Sequence, residues 1–310
     1  MKMNQNSMGR RHFLRLLLRT GGLAMLGPHI AAASLSGAIK RKIPSSGELL
    51  PVIGMGSWRT FDIGENEERL AIRCEILGTF FNKGGAFIDS SPMYGTSERI
   101  IGYCLESLKS QQALFAATKV WTHGQSLGKW QMERSRRLWG VERFDLMQIH
   151  NMVDWEDHLE TLKEWKQSGK IRYIGITTSH GRRHERLEQA LQKETFDFVQ
   201  FTYNIIDREV ERRLLPLAAE RGIAVIINRP FQGGKLFSHV HGKPLPPWAS
   251  ELDCRNWAQF FLKFIVSHPN VTCAIPATSQ VIHMQENMGA CYGRLPDANM
   301  RRKMINYFEA

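Results

Sequence analysis

Four residues with complementary acid–base chemistry lie at the ends of three neighbouring apolar runs. Asp89 and Tyr94 occur in FIDSSPMYG, Lys119 follows FAAT, and His150 follows LMQI. A phenol is a poor acid at neutral pH, since its pKa is about 10, and a neighbouring ammonium group lowers that pKa by favouring the phenolate. A carboxylate keeps the ammonium charged, and an imidazole can hydrogen-bond a carbonyl oxygen and orient it. The four groups suit protonation of a carbonyl oxygen, for which a nicotinamide cofactor is the obvious hydride source.

The sequence contains a repeated unit that could bring these residues to one rim. Short apolar runs rich in β-branched or aromatic residues recur eight times, and most begin 25–34 residues after the preceding one. The runs are Val52–Met55, Ala86–Asp89, Leu114–Lys119, Leu146–His150, Tyr173–Thr177, Phe198–Phe201, Ala224–Asn228 and Val271–Ile275. Helical patterns lie between them, at Glu67–Lys83, Glu156–Ser168, Arg208–Arg221 and Trp257–His268.

This alternation predicts the fold. Strands buried on both faces that alternate with helices indicate an α/β fold of the closed (β/α)8 TIM-barrel type, in which catalytic residues lie at the carboxyl ends of the strands. A doubly wound open sheet is the alternative, but the glycine fingerprint that it needs after its first strand is absent. The segment AIKRKIPSSGELLPVIG predicts an N-terminal β-hairpin at the bottom of the barrel, and QGGKLFSHVHGKPLPPW predicts a loop before the last strand.

Residues 1–38 have the pattern of an export signal and precede one barrel domain at 39–310. Arg10 and Arg11 are followed by Phe13 and Leu14, then by a mildly apolar stretch and small residues. This layout resembles a twin-arginine signal, which implies transient contact with the Tat translocase and a folded, periplasmic mature chain without a stable membrane span. The alternative is an amphipathic helix that stays on the protein, although Pro28 would break it.

Charge and cysteine spacing argue against three classes of protein. Eight of the eleven surplus positive charges lie in residues 1–42, which contain no acid, so the rest of the chain carries only +3 and shows no nucleic-acid footprint. The five cysteines are odd in number, widely spaced and without a C-x-x-C pair. We therefore expect buried thiols, with neither a disulfide framework nor a metal site.

The strand-end residues, taken in order, resemble the catalytic tetrad of the aldo-keto reductases. The tetrad of Asp, Tyr, Lys and His falls on Asp89, Tyr94, Lys119 and His150. The resemblance extends over about residues 38–295 and includes GMGSW at 54–58, VQFTYN at 199–204 and IPATSQVIHMQENMGA at 275–290. It implies an NAD(P)-dependent oxidoreductase that reduces an aldehyde or ketone to an alcohol, with Tyr94 as general acid. NADP(H) is the expected cofactor and NAD(H) is possible.

The resemblance also implies a set of cofactor-binding residues. Gln200 would meet the carboxamide, the loop at 229–236 would follow the pyrophosphate, and 277–280 would face the ribose phosphate. The full set is Thr177, Thr178, Gln200, Asn228, Arg229, Pro230, Gly233, Gly234, Lys235, Ala277, Thr278, Ser279, Gln280, Glu286 and Asn287.

The chain departs from the family pattern in three places. Thr177-Thr178 replaces a Ser-Asn pair, and Asn228 replaces an aromatic residue. No Lys or Arg occurs at 277–283, where many members hold the 2′-phosphate. The last departure argues against a strong preference for NADP, because a phosphate dianion is weakly held without a nearby cation. The alternative is that Arg229 or Lys235 supplies that cation.

Two other functions remain open at this point. A nicotinamide-holding sensor or accessory subunit without turnover could use the same barrel. A metal-dependent hydrolase would need several His and Asp at strand ends, where only Asp89 and His150 qualify. His239 and His241 are interpreted as parts of a loop and not as a metal pair, and Trp121, two positions after Lys119, is expected to line the substrate pocket.

Overall fold

A computed structural model describes residues 37–109 and 114–310. The predicted signal segment lies outside the described residues, apart from its last two positions. Ten strands occur in the described part of the chain. They are β1 (Lys40–Lys42), β2 (Leu49–Pro51), β3 (Met55–Gly56), β4 (Phe87–Asp89), β5 (Phe115–Val120), β6 (Phe144–Ile149), β7 (Ile171–Thr177), β8 (Phe198–Thr202), β9 (Ala224–Asn228) and β10 (Cys273–Ala274).

The last eight strands form the predicted parallel barrel. Strands β3 to β10 pair in sequence order, and all seven pairings are parallel. Parallel bridges from Ile53 to Ala274 and from Gly56 to Ala277 join the first and last strands, with Gly54 N donating to Ala274 O at 2.9 Å. The (β/α)8 prediction is therefore confirmed, and each of the eight apolar runs overlaps one barrel strand.

Helices cover the outside of the barrel. They are α1 (Glu67–Asn82), α2 (Ser97–Leu108), α3 (Gln125–Trp139), α4 (Trp155–Gln167), α5 (His184–Lys193), α6 (Leu214–Glu220), α7 (Lys235–His239), α8 (Trp257–Val266), α9 (Val281–Gly289) and α10 (Ala298–Glu309). Asn66 caps α1 by accepting a hydrogen bond from Arg69 N, and Asp297 caps α10 in the same way through Met300 N. Among the described residues, no helix is both long and apolar enough to cross a membrane.

The N-terminal hairpin closes the bottom of the barrel, as predicted. Strands β1 and β2 pair antiparallel, and Ile43 and Leu50 join the cluster of barrel-interior side chains that includes Phe115 and Phe198. The hydroxyl of Tyr173 donates to Glu48 Oε2 at 2.8 Å. This bottom layer is apolar and well packed, so polar chemistry is left to the opposite rim.

Two local predictions differ from the structure. The helix expected at 208–221 is split, because a 3-10 turn at Glu209–Glu211 precedes α6. The segment at 232–248 is not a plain loop, since it contains a 3-10 turn at Gln232–Gly234 and the short helix α7. Leu236 on that helix is fully buried, which gives the segment an apolar anchor on the barrel.

The cysteine prediction is wrong for one pair. Cys74 in α1 and Cys104 in α2 form a disulfide, with their Cα atoms 4.8 Å apart. Cys254, Cys273 and Cys291 are buried thiols, as expected. Thirty residues separate the bonded pair, and only the packing of α1 against α2 brings them together.

Candidate active site

Asp89 and Lys119 form a buried ion pair at the carboxyl ends of adjacent strands. Asp89 ends β4, Lys119 lies one residue before the end of β5, and Lys119 Nζ is 2.5 Å from Asp89 Oδ2. The ammonium also donates to Ser90 O at 2.7 Å. Burial lowers the pKa of Lys119 from its ordinary value, although the charge of Asp89 opposes that shift.

Tyr94 lies above this pair in the turn that follows β4. Tyr94 N donates to Ser91 O at 2.9 Å, and Lys119 Nζ lies 5.2 Å from the centre of the phenol ring. The pKa of Tyr94 is raised well above 10, mainly by burial and further by the charge of Asp89. The expected net lowering of the Tyr94 pKa is therefore wrong, because burial and the charge of Asp89 raise it. Tyr94 keeps its proton at neutral pH.

His150 faces Tyr94 across a short distance. It follows the last residue of β6, and its ring stands nearly perpendicular to that of Tyr94, with the centroids 5.7 Å apart. Its Nδ1 is 2.8 Å from Ser91 Oγ, and that oxygen accepts a hydrogen bond from Met93 N at 3.2 Å. Burial, and then the charge of Lys119, lowers the pKa of His150 well below 6.5. The imidazole is therefore neutral at neutral pH.

The hydrogen bonds of Ser91 are compatible with the tautomer of this neutral ring that has its proton on Nε2. Because Met93 N–H already occupies an acceptor site of Ser91 Oγ, the Ser91 hydroxyl can donate its own proton to His150 Nδ1. In that arrangement the other ring nitrogen, Nε2, carries the histidine proton. A neutral Nε2–H is a hydrogen-bond donor for a carbonyl oxygen.

A buried polar network continues below the tetrad, and sequence reasoning missed its central member. Gln148 Nε2 on β6 donates to Asp89 Oδ1 at 2.8 Å, and Gln200 Nε2 donates to Gln148 Oε1 at 3.1 Å. Asn228 Nδ2 donates to Thr178 O at 2.8 Å. Gln148 is the one polar residue in the run from Leu146 to Ile149 and precedes His150 by two positions. A polar residue in an apolar run, two positions before His150, was the sequence signal that could have identified Gln148.

One cavity of about 510 Å³ contains the reactive side chains and most of the predicted cofactor residues. Asp89, Tyr94 and His150 line it, while Lys119 is fully buried below it. The predicted cofactor residues that line it are Thr177, Thr178, Gln200, Asn228, Arg229, Pro230, Gly233, Gly234 and Ala277. The predicted residues outside its lining are Lys235, Thr278, Ser279, Gln280, Glu286 and Asn287.

Two further expectations about single residues have clear outcomes. Trp121 does not line the cavity and is 41% exposed, whereas Trp58 after β3 does line it. His239 lies on α7, with its ring 4.5 Å from that of Phe308. In the described part of the chain, no group of three His, Cys, Asp or Glu side chains could hold a metal ion.

Comparison with known proteins agrees with the fold. The model of the "Aldo/keto reductase family" matches residues 52–303. The chain is 27% identical to the Bacillus subtilis "Aldo-keto reductase YhdN" over 192 residues, which are 56% of each chain. It is 30% identical to the Escherichia coli "NADH-specific methylglyoxal reductase" over 182 residues, which are 48% of this chain and 53% of that one. The aligned part thus spans about half the length of these two relatives.

A solved structure of similar fold is the aldo-keto reductase from Klebsiella pneumoniae in complex with NADPH. It superposes with a TM-score of 0.73 at 20% identity, over 87% of this chain and 95% of that one. The family model matches residues 52–303, which are most of the chain. The chain therefore belongs to the Aldo/keto reductase family and is an enzyme of the aldo-keto reductase type.

Proposed function

We propose that this protein reduces an aldehyde or ketone to the alcohol with a reduced nicotinamide cofactor, and that Tyr94 is the general acid. The observation that carries the proposal is the meeting of Tyr94 and His150 at one cavity, directly above the buried Asp89–Lys119 pair. A neutral phenol and a neutral imidazole both present protons to that cavity, as a carbonyl oxygen requires.

The cavity fits a nicotinamide dinucleotide on two observations. Thr178 Oγ1 is buried and has no hydrogen-bond partner among the described residues, which leaves a polar atom for a ligand such as a carboxamide. Gly233 and Gly234 line the cavity at positive φ, and a Cβ on Gly234 would meet open space, so the backbone there can approach a pyrophosphate closely. Thr178, Gln200 and Arg229 would hold the cofactor, with NADP(H) favoured and NAD(H) the alternative.

Each residue of the chain has one task in this scheme. When bound, the cofactor supplies the hydride. His150 Nε2–H orients the carbonyl oxygen, and Tyr94 transfers its hydroxyl proton to that oxygen as negative charge develops on it. The Lys119 ammonium, held by Asp89, stabilises the phenolate that remains until a solvent proton replaces the lost one.

The substitution Tyr94→Phe tests this role. It removes the transferable proton while keeping the ring, so we expect kcat for a reducible aldehyde to fall by at least about a hundredfold. Cofactor affinity, measured by fluorescence titration with NADPH, should change little. Because the raised pKa of Tyr94 keeps the phenol protonated, the wild-type kcat should not fall between pH 7 and pH 9 through loss of this proton.

An unchanged rate of carbonyl reduction in Tyr94→Phe would refute the proposal. Tight stoichiometric NADPH with no turnover on a broad aldehyde panel would instead indicate the sensor or accessory function. Both results are obtained from the purified full-length chain.

We also propose that the mature chain works in the periplasm after twin-arginine export, with the Tat translocase as a transient partner. The Cys74–Cys104 disulfide supports this location, because structural disulfides persist in oxidising compartments and are rare in the cytoplasm. The signal itself is assigned from Arg10, Arg11 and the residues that follow them.

A further inference from the structure

The cavity that contains Tyr94 and His150 has a strongly cationic rim. Four arginines from three loops line it: Arg59 after β3, Arg182 and Arg183 after β7, and Arg229 after β9. Asp89 is the single acidic residue in that lining among the described residues, and Lys119 already neutralises it. The open part of the cavity therefore carries a large positive charge.

None of the four guanidinium groups has a carboxylate partner within the described residues. The ion pairs found there involve other arginines, such as Arg172 and Arg208. Asp207 interacts electrostatically with Arg229, but its Oδ2 already accepts hydrogen bonds from Asn204 Nδ2 at 2.8 Å and Gln232 Nε2 at 3.0 Å. Within the described residues, the guanidinium N–H groups of the rim are thus available as hydrogen-bond donors to a ligand.

The fold holds these cations together at a cost in free energy. Arg59, Arg183 and Arg229 have left-handed backbone conformations, with φ of 62°, 61° and 51°, a region that residues with a side chain adopt rarely. Arg59 lies 4.3 Å from the centre of the Trp58 ring, and Arg229 lies 6.0 Å from it. Burial, with further repulsion from Arg59, lowers the pKa of Arg229. An anion bound at the rim would relieve this repulsion.

The loop after β7 carries two of the arginines and is hydrogen-bonded to the turn that carries His150. Asn151, next to His150, donates through its backbone N to Thr177 Oγ1 at 2.9 Å. Ser179 Oγ donates to Asn151 Oδ1 at 3.4 Å. These bonds attach the loop that carries Arg182 and Arg183 to the turn that carries His150. Arg229, in contrast, lies in the segment with Gly233 and Gly234, where the cofactor is expected.

We infer that the substrate is an anionic carbonyl compound, an aldehyde or ketone that also bears a carboxylate or phosphate, and that Arg182 and Arg183 bind this anionic group. The inference rests on the proposed reductase function and names the substrate class of the same site. The anion takes no part in bond making, so hydride and proton transfer at the carbonyl are balanced as before. Its role is to fix the substrate with the carbonyl at His150 and Tyr94.

The test compares 4-carboxybenzaldehyde with benzaldehyde, which share one carbonyl and differ by one carboxylate. The wild-type holoenzyme should show the higher kcat/KM for the acid. In the double variant Arg182→Gln/Arg183→Gln, kcat/KM for the acid should fall by at least about tenfold, because charge-assisted arginine–carboxylate bonds are lost. The value of kcat/KM for benzaldehyde should change less than about twofold. The matched control Arg186→Gln/Arg302→Gln removes two exposed charges outside the cavity and should leave both values unchanged.

Two binding measurements separate this inference from the other possibilities. Calorimetry with 4-carbamoylbenzoate and benzamide, which are not reduced, reports the carboxylate site without turnover. If the double variant Arg182→Gln/Arg183→Gln, the loop variant, loses 4-carbamoylbenzoate binding, the anion site is supported even when no aldehyde is reduced. The absence of aldehyde reduction would refute the reductase proposal alone. The loop variant could instead bind NADPH more weakly while the ratio of kcat/KM for 4-carboxybenzaldehyde to that for benzaldehyde stays unchanged. That result would assign the arginines to a cofactor phosphate and overturn the inference. Equal kcat/KM of wild type and loop variant for the acid would also overturn it.

Discussion

Ser91 is the residue through which the loop after β4 controls the histidine at the end of β6. Its hydroxyl accepts from Met93 N and faces His150 Nδ1 at 2.8 Å, so by donating to Nδ1 it would favour the tautomer with the proton on Nε2. Without this hydroxyl, a neutral His150 would distribute its proton between both nitrogens. Ser91 touches no reacting atom in the scheme proposed above and is a positioning residue.

We expect Ser91→Ala to lower kcat by about tenfold with a smaller change in KM, because the orientation of the carbonyl is lost more than its binding. Ser91→Thr keeps a hydroxyl and should restore most of the rate. The control Ser107→Ala removes an exposed hydroxyl on α2. An alanine variant with the wild-type kcat, or a threonine variant as slow as alanine, would argue against the tautomer assignment.

The tetrad residues could be located from the sequence because barrel strands end where apolar runs end. Asp89, Lys119 and His150 close such runs, and all three meet at one rim. Gln148 was missed because its role depends on the register of β6 against its neighbours, where Gly175 on β7 leaves room for the Gln148 side chain. The direction of the Tyr94 pKa shift was also beyond the sequence, since burial is a property of the folded loop.

At the level of elements, the barrel strands were more predictable than the helices and loops that cover them. Strands buried on both faces leave continuous apolar runs, which fixed all eight barrel positions. Helix α7 was missed because it is five residues long and lies in a segment rich in Gly and Pro. The disulfide was missed for a different reason, since α1 and α2 carry one cysteine each and only their packing brings the two together.

The disulfide should stabilise the barrel measurably. It closes a segment of about thirty residues, so the double variant Cys74→Ser/Cys104→Ser is expected to lose about 3–4 kcal/mol of the free energy of unfolding. Denaturant unfolding under non-reducing conditions measures this loss. Adding a reductant should destabilise the wild type to a similar degree and leave the double variant unaffected. A wild type that is insensitive to reductant would show that the bond does not form in the purified protein.

For the whole molecule, the distribution of charge separates two kinds of positive surface. Eight of the eleven surplus charges lie in residues 1–42 and belong to the predicted signal and the start of the hairpin. The remaining +3, carried by residues 43–310, is a small net value, yet four arginines that have no carboxylate partner among the described residues line one cavity. A domain with few surplus charges outside its N-terminal hairpin and a concentrated cationic mouth attracts small anions to that mouth without binding polyanions over its whole surface.

The location of the chain and the state of its disulfide are coupled in a way that one substitution can test. The conservative double variant Arg10→Lys/Arg11→Lys keeps the charge of the N-terminal segment but removes the arginine pair that the twin-arginine signal requires. We expect it to stay in the cytoplasm with Cys74 and Cys104 reduced, whereas the wild-type chain reaches the periplasm with the bond formed. Cell fractionation followed by thiol alkylation and mass measurement reports both properties, and Arg15→Lys/Arg19→Lys is the matched control. Equal export and equal oxidation of the Arg10/Arg11 variant and the wild type would contradict the signal assignment, because the reducing cytoplasm does not sustain a structural disulfide.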